Sequence, residues 1–253
     1  MHEQVCYQKS FLTEVIVKID FASPITALEK SVPNKLTNLF VTNFPIVEPT
    51  DVIMQEVAMD GGSIRHSQTA TKQWNYFGKD RGKHLSISPQ NIFIQYLKYN
   101  NYEEMKGHFG SAVDAITKAF PETKAARFGL RYVNQIELEL NDPTVWDEYI
   151  DASLISGRNF FVGGESITRQ IVISELKYGD LQIRVQSGMP NPDYPAQVKR
   201  PLFVLDFDAS ISQAHDLTEA LAYMDEGHSR IQALFERSIT PNLRSKMNAK
   251  PIQ

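Results

Sequence analysis

The 253-residue chain carries one cysteine, Cys6, which excludes an internal disulfide framework and a cysteine-rich zinc site. No apolar run approaches the roughly 20 residues that span a bilayer as a helix. The N-terminal MHEQVCYQKSF lacks the apolar centre of a secretory signal. Neither sign of charge dominates. Lys and Arg number 26 against 30 Asp and Glu, a net charge of −4, so there is no global attraction to nucleic acid or anionic lipid. Catalytic signatures are missing too: the chain has no G-x-S-x-G, H-E-x-x-H, G-x-x-x-x-G-K-S/T or G-x-G-x-x-G, and so names no nucleophile, metal pair or phosphate loop. With ordinary hydrophobic (42%) and charged (22%) fractions, these absences point to a soluble globular protein of the cytosol without a membrane partner.

What is present is an order of elements that occurs twice. Residues 11–120 and 127–240 each read as a strand, a helix, three strands and a long closing helix. Val15, Val17, Ile19 and Phe21 alternate in the first half, with Ser23-Pro24 directly after. Phe128, Leu130, Tyr132, Asn134, Ile136 and Leu138 share a face in the second, with Asp142-Pro143 after. Ser or Asp caps a helix, and Pro fits its first position because the N–H there has no helical partner.

Periodicity fills in the elements. Residues 1–10 read as a short leader. Residues 24–43 are helical but interrupted by Pro33. Residues 51–59 form a strand, and Gly61-Gly62 opens a polar loop that runs to Thr71. A hairpin turns at Asp80-Arg81-Gly82 between 72–79 and 83–88, and 91–98 is a further strand. In the helix 102–120, Met105, Phe109, Ala112, Val113, Ile116 and Phe120 share a face. The second half has a helix over 143–154, a loop over 157–165, strands at 167–177, 180–187 and 202–208, and a helix over 217–239 that Pro241 stops. The tail from Asn242 reads as frayed.

Three short segments, FLTEVIVKIDF, GLRYVNQIEL and GHSRIQALFERSIT, resemble together a sporadically distributed prokaryotic family of uncharacterised proteins of about this length. Its pattern is a "PL-x-EV-I" strand, an "RY-x-N" strand and an "H-x-x-I-x-x-x-F" helix. Glu14, Arg131, Tyr132, Asn134, His228, Ile231 and Phe235 match, while Ser10-Phe11-Leu12 departs from the Pro-Leu pair. The resemblance covers essentially the whole chain. It implies no activity, cofactor or substrate, and its patchy distribution is like that of accessory and defence genes.

The candidate ligand or interface residues are His228, Arg131, Asn134 and Arg184. His228 lies on the stripe Leu221, Met224, Ile231, Phe235, where an imidazole is either a hydrogen-bonded core group or a proton-handling one. Gly107-His108 repeats the Gly227-His228 pair. Arg131 and Asn134 share a strand but face opposite ways. Arg131 either belongs to a structural network, bound to a carboxylate of the other half, or binds an anion at an open sheet face. Arg184 stands with Gln182 and Gln186 on a polar strand face, and Ser86 and Ser88 hold comparable places in the first half. Asp206 and Asp208, with Glu175 near, have metal-binding chemistry but sit where a solvated strand face would put them. Lys79, Arg81, Lys83 and His84, with Trp74 and Tyr76, compose either a charged hairpin tip or a nucleic-acid patch.

These readings combine into an α+β protein of two tandem β-α-β-β-β-α units, a duplicated helix-grip or saddle with long helices on one face of antiparallel sheet. The units are 1–122 and 123–241, followed by a frayed basic tail, 242–253. The function they imply is non-enzymatic binding of another protein or of a second copy. Nucleic-acid binding by an open sheet face and an enzyme of unrecognised type are the alternatives. No cofactor, metal or catalytic residue is assigned.

Overall fold

The computed structural model describes residues 6–60, 63–161 and 166–250. The expected turn at Gly61-Gly62, positions 162–165 of the expected loop and the outer ends of the leader and tail lie outside the described residues.

The chain opens with β1 (Cys6–Tyr7) and β2 (Leu12–Phe21), then a 3-10 turn at Thr26–Glu29 and α1 (Asn34–Asn43). Pro33 divides the expected helix and stands at the N-cap of α1. Next come β3 (Ile46–Asp60), β4 (Ser63–Phe77), β5 (Lys83–Ile87), β6 (Asn91–Tyr96) and α2 (Tyr102–Ala119). The remainder is β7 (Lys124–Glu137), α3 (Ala152–Ile155), a 3-10 turn at Ser156–Phe160, β8 (Gln170–Tyr178), β9 (Leu181–Met189), β10 (Leu202–Ile211), β11 (His215–Asp216), a 3-10 turn at Leu217–Glu219, α4 (Ala220–Ser238), α5 (Pro241–Met247) and β12 (Ala249–Lys250). The protein is mixed α+β, with an extensive open antiparallel sheet and five α-helices among the described residues.

The chain divides into two compact units. Unit 1 is built from the segment ending at Val15, from Leu130–Ile211 and from Met224 onward; unit 2 is built from Ile16–Gly129 and Ser212–Tyr223. Strands β2 and β7 and helix α4 contribute residues to both.

In unit 2 the strand order is β3-β4-β5-β6-β2-β7, with β11 also on β7. Val17, Ile19 and Phe21 of β2, and Ile92, Ile94 and Tyr96 of β6, are buried at alternate positions, as a sheet covered on one face requires. Helix α2 buries Met105, Phe109, Ala112, Val113 and Ile116; burial of a large apolar side chain stabilises by roughly 1.5–3 kcal/mol. Its start is fixed by Asn101, whose side chain accepts the Glu104 N–H at 2.8 Å.

In unit 1 the order is β2-β7-β10-β9-β8. Leu130, Tyr132 and Ile136 of β7, Leu181, Ile183 and Val185 of β9, and Phe203, Leu205 and Phe207 of β10 form the core with Met224 and Ile231 of α4. Trp146 packs against Phe203, ring centres 5.3 Å apart.

Three expectations are corrected. The polar stretch 63–71 is the outer part of β4, not a loop. It pairs with β3 in unbroken register from Ile46↔Phe77 to Asp60↔Ser63. Ladder hydrogen bonds hold it, so it needs no apolar alternation. Four strands, β3 to β6, separate α1 from α2, one more than the repeated strand-helix-three-strand pattern allows. Residues 143–154 do not form one helix. The Asp142 carboxylate accepts the Thr144 N–H at 2.8 Å and the Asp151 carboxylate the Ser153 N–H at 2.9 Å, while Ile150 bridges Ile239 as extended chain. Turns after Asp142 and Trp146 thus replace helix over 143–150, and Asp151 caps only the short α3. The segment after Asn242 is not frayed: Thr240 caps α5, Pro241 stands at its first turn, and Leu243 and Met247 are buried. β12 then pairs with β1.

Candidate functional site

All four candidate residues fall in unit 1, but on opposite faces of its sheet. Arg131 lies on β7 beside β10. Its Nε donates to Asp206 Oδ1 at 2.9 Å and a terminal nitrogen donates to Oδ2 at 2.7 Å. The Asp206 side chain is 6% exposed and the Arg131 side chain 42%. A buried carboxylate needs such a partner, and the two-pronged geometry supplies it. The carboxylates of Asp206, Asp208 and Glu14 all favour the charged guanidinium, and its pKa is raised, chiefly by the hydrogen bonds to Asp206.

Arg184 is exposed on β9, in register with Asp208 on β10 and with Glu175 on β8. This face therefore alternates charge from strand to strand. Both arginines stand opposite carboxylates, so the charge of this face is balanced. Among the described residues no three His, Cys, Asp or Glu side chains gather as a metal site.

Asn134 and His228 lie on the covered side. The Asn134 amide donates to the Leu205 carbonyl at 3.2 Å and is buried. His228, on α4, shares a hydrogen bond of 3.0 Å between Nδ1 and the Tyr132 hydroxyl. Burial pushes its pKa down to about 4, with Asp225 opposing. The helix comes close here because Gly227 has no side chain: a Cβ at that position would stand 3.3 Å from Ala209 Cβ and 3.5 Å from Leu130. His108 in unit 2 meets Tyr96 in the same way at 2.7 Å.

A cleft of about 920 Å³ opens elsewhere in unit 1, lined by Asp151, Ser174, Leu176, Phe207, Glu236 and Arg237 among others. Glu236 in its lining is already engaged: Tyr7 donates to it at 2.7 Å and Arg244 Nε at 2.9 Å. His228 does not line this cleft.

The hairpin patch of unit 2 is not assembled as the sequence suggests. Trp74 Nε1 donates to the Leu28 carbonyl at 2.8 Å, and Tyr76 is buried against Phe40. Arg81 pairs with Glu48, and Lys83 with Glu104 at 3.1 Å. Ser86 and Ser88 are buried rather than solvated. Gln73 Nε2 donates to Ser86 at 2.7 Å, and Ser88 accepts the Gln90 and Asn91 N–H groups in the β5–β6 turn.

Two features escaped sequence reasoning. His84 stacks on Phe77, ring centres 4.4 Å apart, and meets Phe93 edge-on at 5.3 Å; burial lowers its pKa and a hydrogen bond to Gln95 opposes this. Phe77 and His84 pair across the hairpin, but the stack is completed by Phe93 of a third strand, which no spacing marks. The second is β8. Ile171, Val172 and Ile173 are 38%, 41% and 51% exposed, although three apolar residues in a row usually mark a strand buried on both faces. β8 is last in its strand order, and burial follows from that position rather than from composition.

Compared with known protein families the chain matches no family model, and compared with curated proteins it matches none.

Proposed function

We propose that this chain is a non-enzymatic binding protein that recognises protein through the charge-compensated face of unit 1 and the edge strand β8. The observation that carries this reading is the exposure of Ile171, Val172 and Ile173 on a strand with no described neighbour on its outer side. An apolar edge strand offers unpaired backbone groups and apolar pockets together, which is the chemistry of strand addition. The resemblance to a sporadically distributed family points the search for a partner to the neighbouring genes of the host.

The test is capture from the native host with wild-type protein and with an Ile171→Lys, Ile173→Lys variant as bait. The variant should lose a protein that the wild type retains, and that protein, once purified, should bind only the wild type. Equal binding to both baits, with unchanged thermal midpoints, would sink this reading.

A second reading rests on the Phe77–His84–Phe93 stack of unit 2, with Arg81 4.8 Å from the Phe77 ring centre. Bases of single-stranded nucleic acid stack on such aromatics. Oligonucleotide binding that weakens steeply with salt and is lost in Phe93→Ala would favour it over the first.

The same proposal takes the two halves as one repeated pattern. In it β2, α1, β4, β5, β6 and α2 correspond to β7, α3, β8, β9, β10 and α4, with β3 an addition. Superposing 11–120 on 127–240 in that order tests it, and a mismatch of strand order would end it.

A further inference from the structure

The edge strand β8 is self-complementary. From Arg169 to Glu175 the sequence reads Arg-Gln-Ile-Val-Ile-Ser-Glu, with apolar residues at its centre, a base at one end and an acid at the other. We infer that β8 is the interface for a second copy of this chain, pairing antiparallel with itself about a twofold axis at Val172. This rests on the binding reading above and names the partner.

An antiparallel pair about Val172 sets Ile171 opposite Ile173, Gln170 opposite Ser174, and Arg169 opposite Glu175 of the second copy. Residues an even number apart share a face of a strand. Arg169, Ile171, Ile173 and Glu175 therefore line one face. The two copies bring four isoleucines together there, closed at each end by an Arg169–Glu175 ion pair. Val172 meets its own counterpart on the other face. Cross-strand pairs of this kind, apolar on apolar and acid on base, are the ones that stabilise antiparallel sheet. A strand of unrelated sequence would have to reproduce this order; a second copy supplies it by symmetry.

The surroundings fit this window. Arg169 and Glu175 are both exposed. The Arg169 guanidinium lies 4.1 Å from the Tyr194 ring centre, and a guanidinium stacked by its face keeps its N–H edge available. Upstream, Asn191 Nδ2 donates to the Thr168 carbonyl at 2.6 Å and Val198 N–H to the Ile167 carbonyl at 3.1 Å. Those bonds continue the β8–β9 pairing beyond Gln170 and tie the chain before β8 to the 191–198 loop. The strand is also held firmly on β9. Gly188, at φ +138°, lets the chains approach so closely that a Cβ there would stand 2.1 Å from the Gln170 carbonyl oxygen. An edge fixed in advance loses little freedom when a second strand joins it.

Sedimentation equilibrium tests the inference directly. The wild type at about 100 µM should be dimeric, and Ile173→Lys should be monomeric with an unchanged circular dichroism spectrum. Arg169→Glu places like charges opposite each other, as does Glu175→Arg, so each should weaken self-association by about tenfold or more. Mixed in equal amounts, the two variants should recover a dimer, because every cross-strand pair is then again acid on base. A monomeric wild type, or a mixture that fails to recover, overturns the inference. If the wild type is monomeric but Ile173→Lys still loses a purified host partner, only the second-copy assignment falls. If Ile173→Lys alters neither self-association nor capture, the binding reading falls with it.

Discussion

Each unit joins a histidine of a long helix to a tyrosine of its sheet, and the two joints differ in what surrounds them. In unit 2, His108 meets Tyr96 at 2.7 Å, with Lys83 and Glu104 close by and the Phe44 ring 5.4 Å away. In unit 1, His228 meets Tyr132 at 3.0 Å, with Asp225 as the charge that bears on it. Burial lowers both imidazoles, but Glu104, with Oε1 4.0 Å from His108 Nδ1, opposes it while Lys83 adds to it. The preceding glycines differ more sharply. A Cβ at Gly107 would meet nothing within 4 Å, whereas one at Gly227 would press on Ala209 and Leu130. The same dipeptide is therefore a packing requirement in one helix and a neutral choice in the other.

The largest expected effect separates the two joints by pH. An unfolded histidine titrates near 6.5, and folded His228 is pushed down to about 4. Between these values the unfolded chain takes up a proton that the folded chain refuses. Stability present above pH 6.5 is thus lost as pH falls toward 4, by roughly 3 kcal/mol at most. Urea midpoints across this range should fall less steeply for His228→Gln than for wild type, and His108→Gln should flatten the curve less. Parallel curves for wild type and His228→Gln would show that burial does not hold this imidazole neutral.

The glycines come next. Gly227→Val should cost roughly 1–3 kcal/mol by overpacking, while Gly107→Ala should gain about 0.5–1 kcal/mol from helix propensity. Thermal or urea unfolding reads both. Equal responses would erase the contrast.

The smallest effect concerns the hydroxyls. Tyr132→Phe and Tyr96→Phe should each cost about 0.5–1.5 kcal/mol. A double-mutant cycle with the partner histidine should show that cost to be shared. Independent effects would mean that the hydroxyls are held by something other than the imidazoles.

Much of the element order was legible because it depends on local periodicity. The α2 stripe, the hairpin at Asp80-Arg81-Gly82 and the strands around Tyr178-Gly179-Asp180 all follow from it. The failures share a cause. The outer part of β4 is polar and is held by its neighbour's backbone, so it carried no burial signal. Residues 143–154 have the composition of a helix, but the Asp142 turn diverts the first part and helix begins only where Asp151 caps α3. The tail is polar overall, yet Leu243 and Met247 are buried, Arg244 bonds Glu236 and β12 pairs with β1. Of the candidate residues, Arg131 was legible as a group needing a carboxylate. That the carboxylate is Asp206 of the same half rather than one of the other half, and that His228 meets Tyr132, depends on which strands and helices become neighbours.

The sequence by itself determined the alternating strands, the helix faces and the absence of any recognised catalytic motif, since these reside in composition and spacing along the chain. Strand order was decided by tertiary structure. Order places Arg131 beside Asp206, stacks His84 between residues of two other strands, and leaves β8 at an edge. An apolar triplet such as Ile171-Val172-Ile173 is core in the middle of a sheet and surface at its margin. That difference lies in which strands stand beside it, and neighbours far apart in sequence leave no trace in local periodicity.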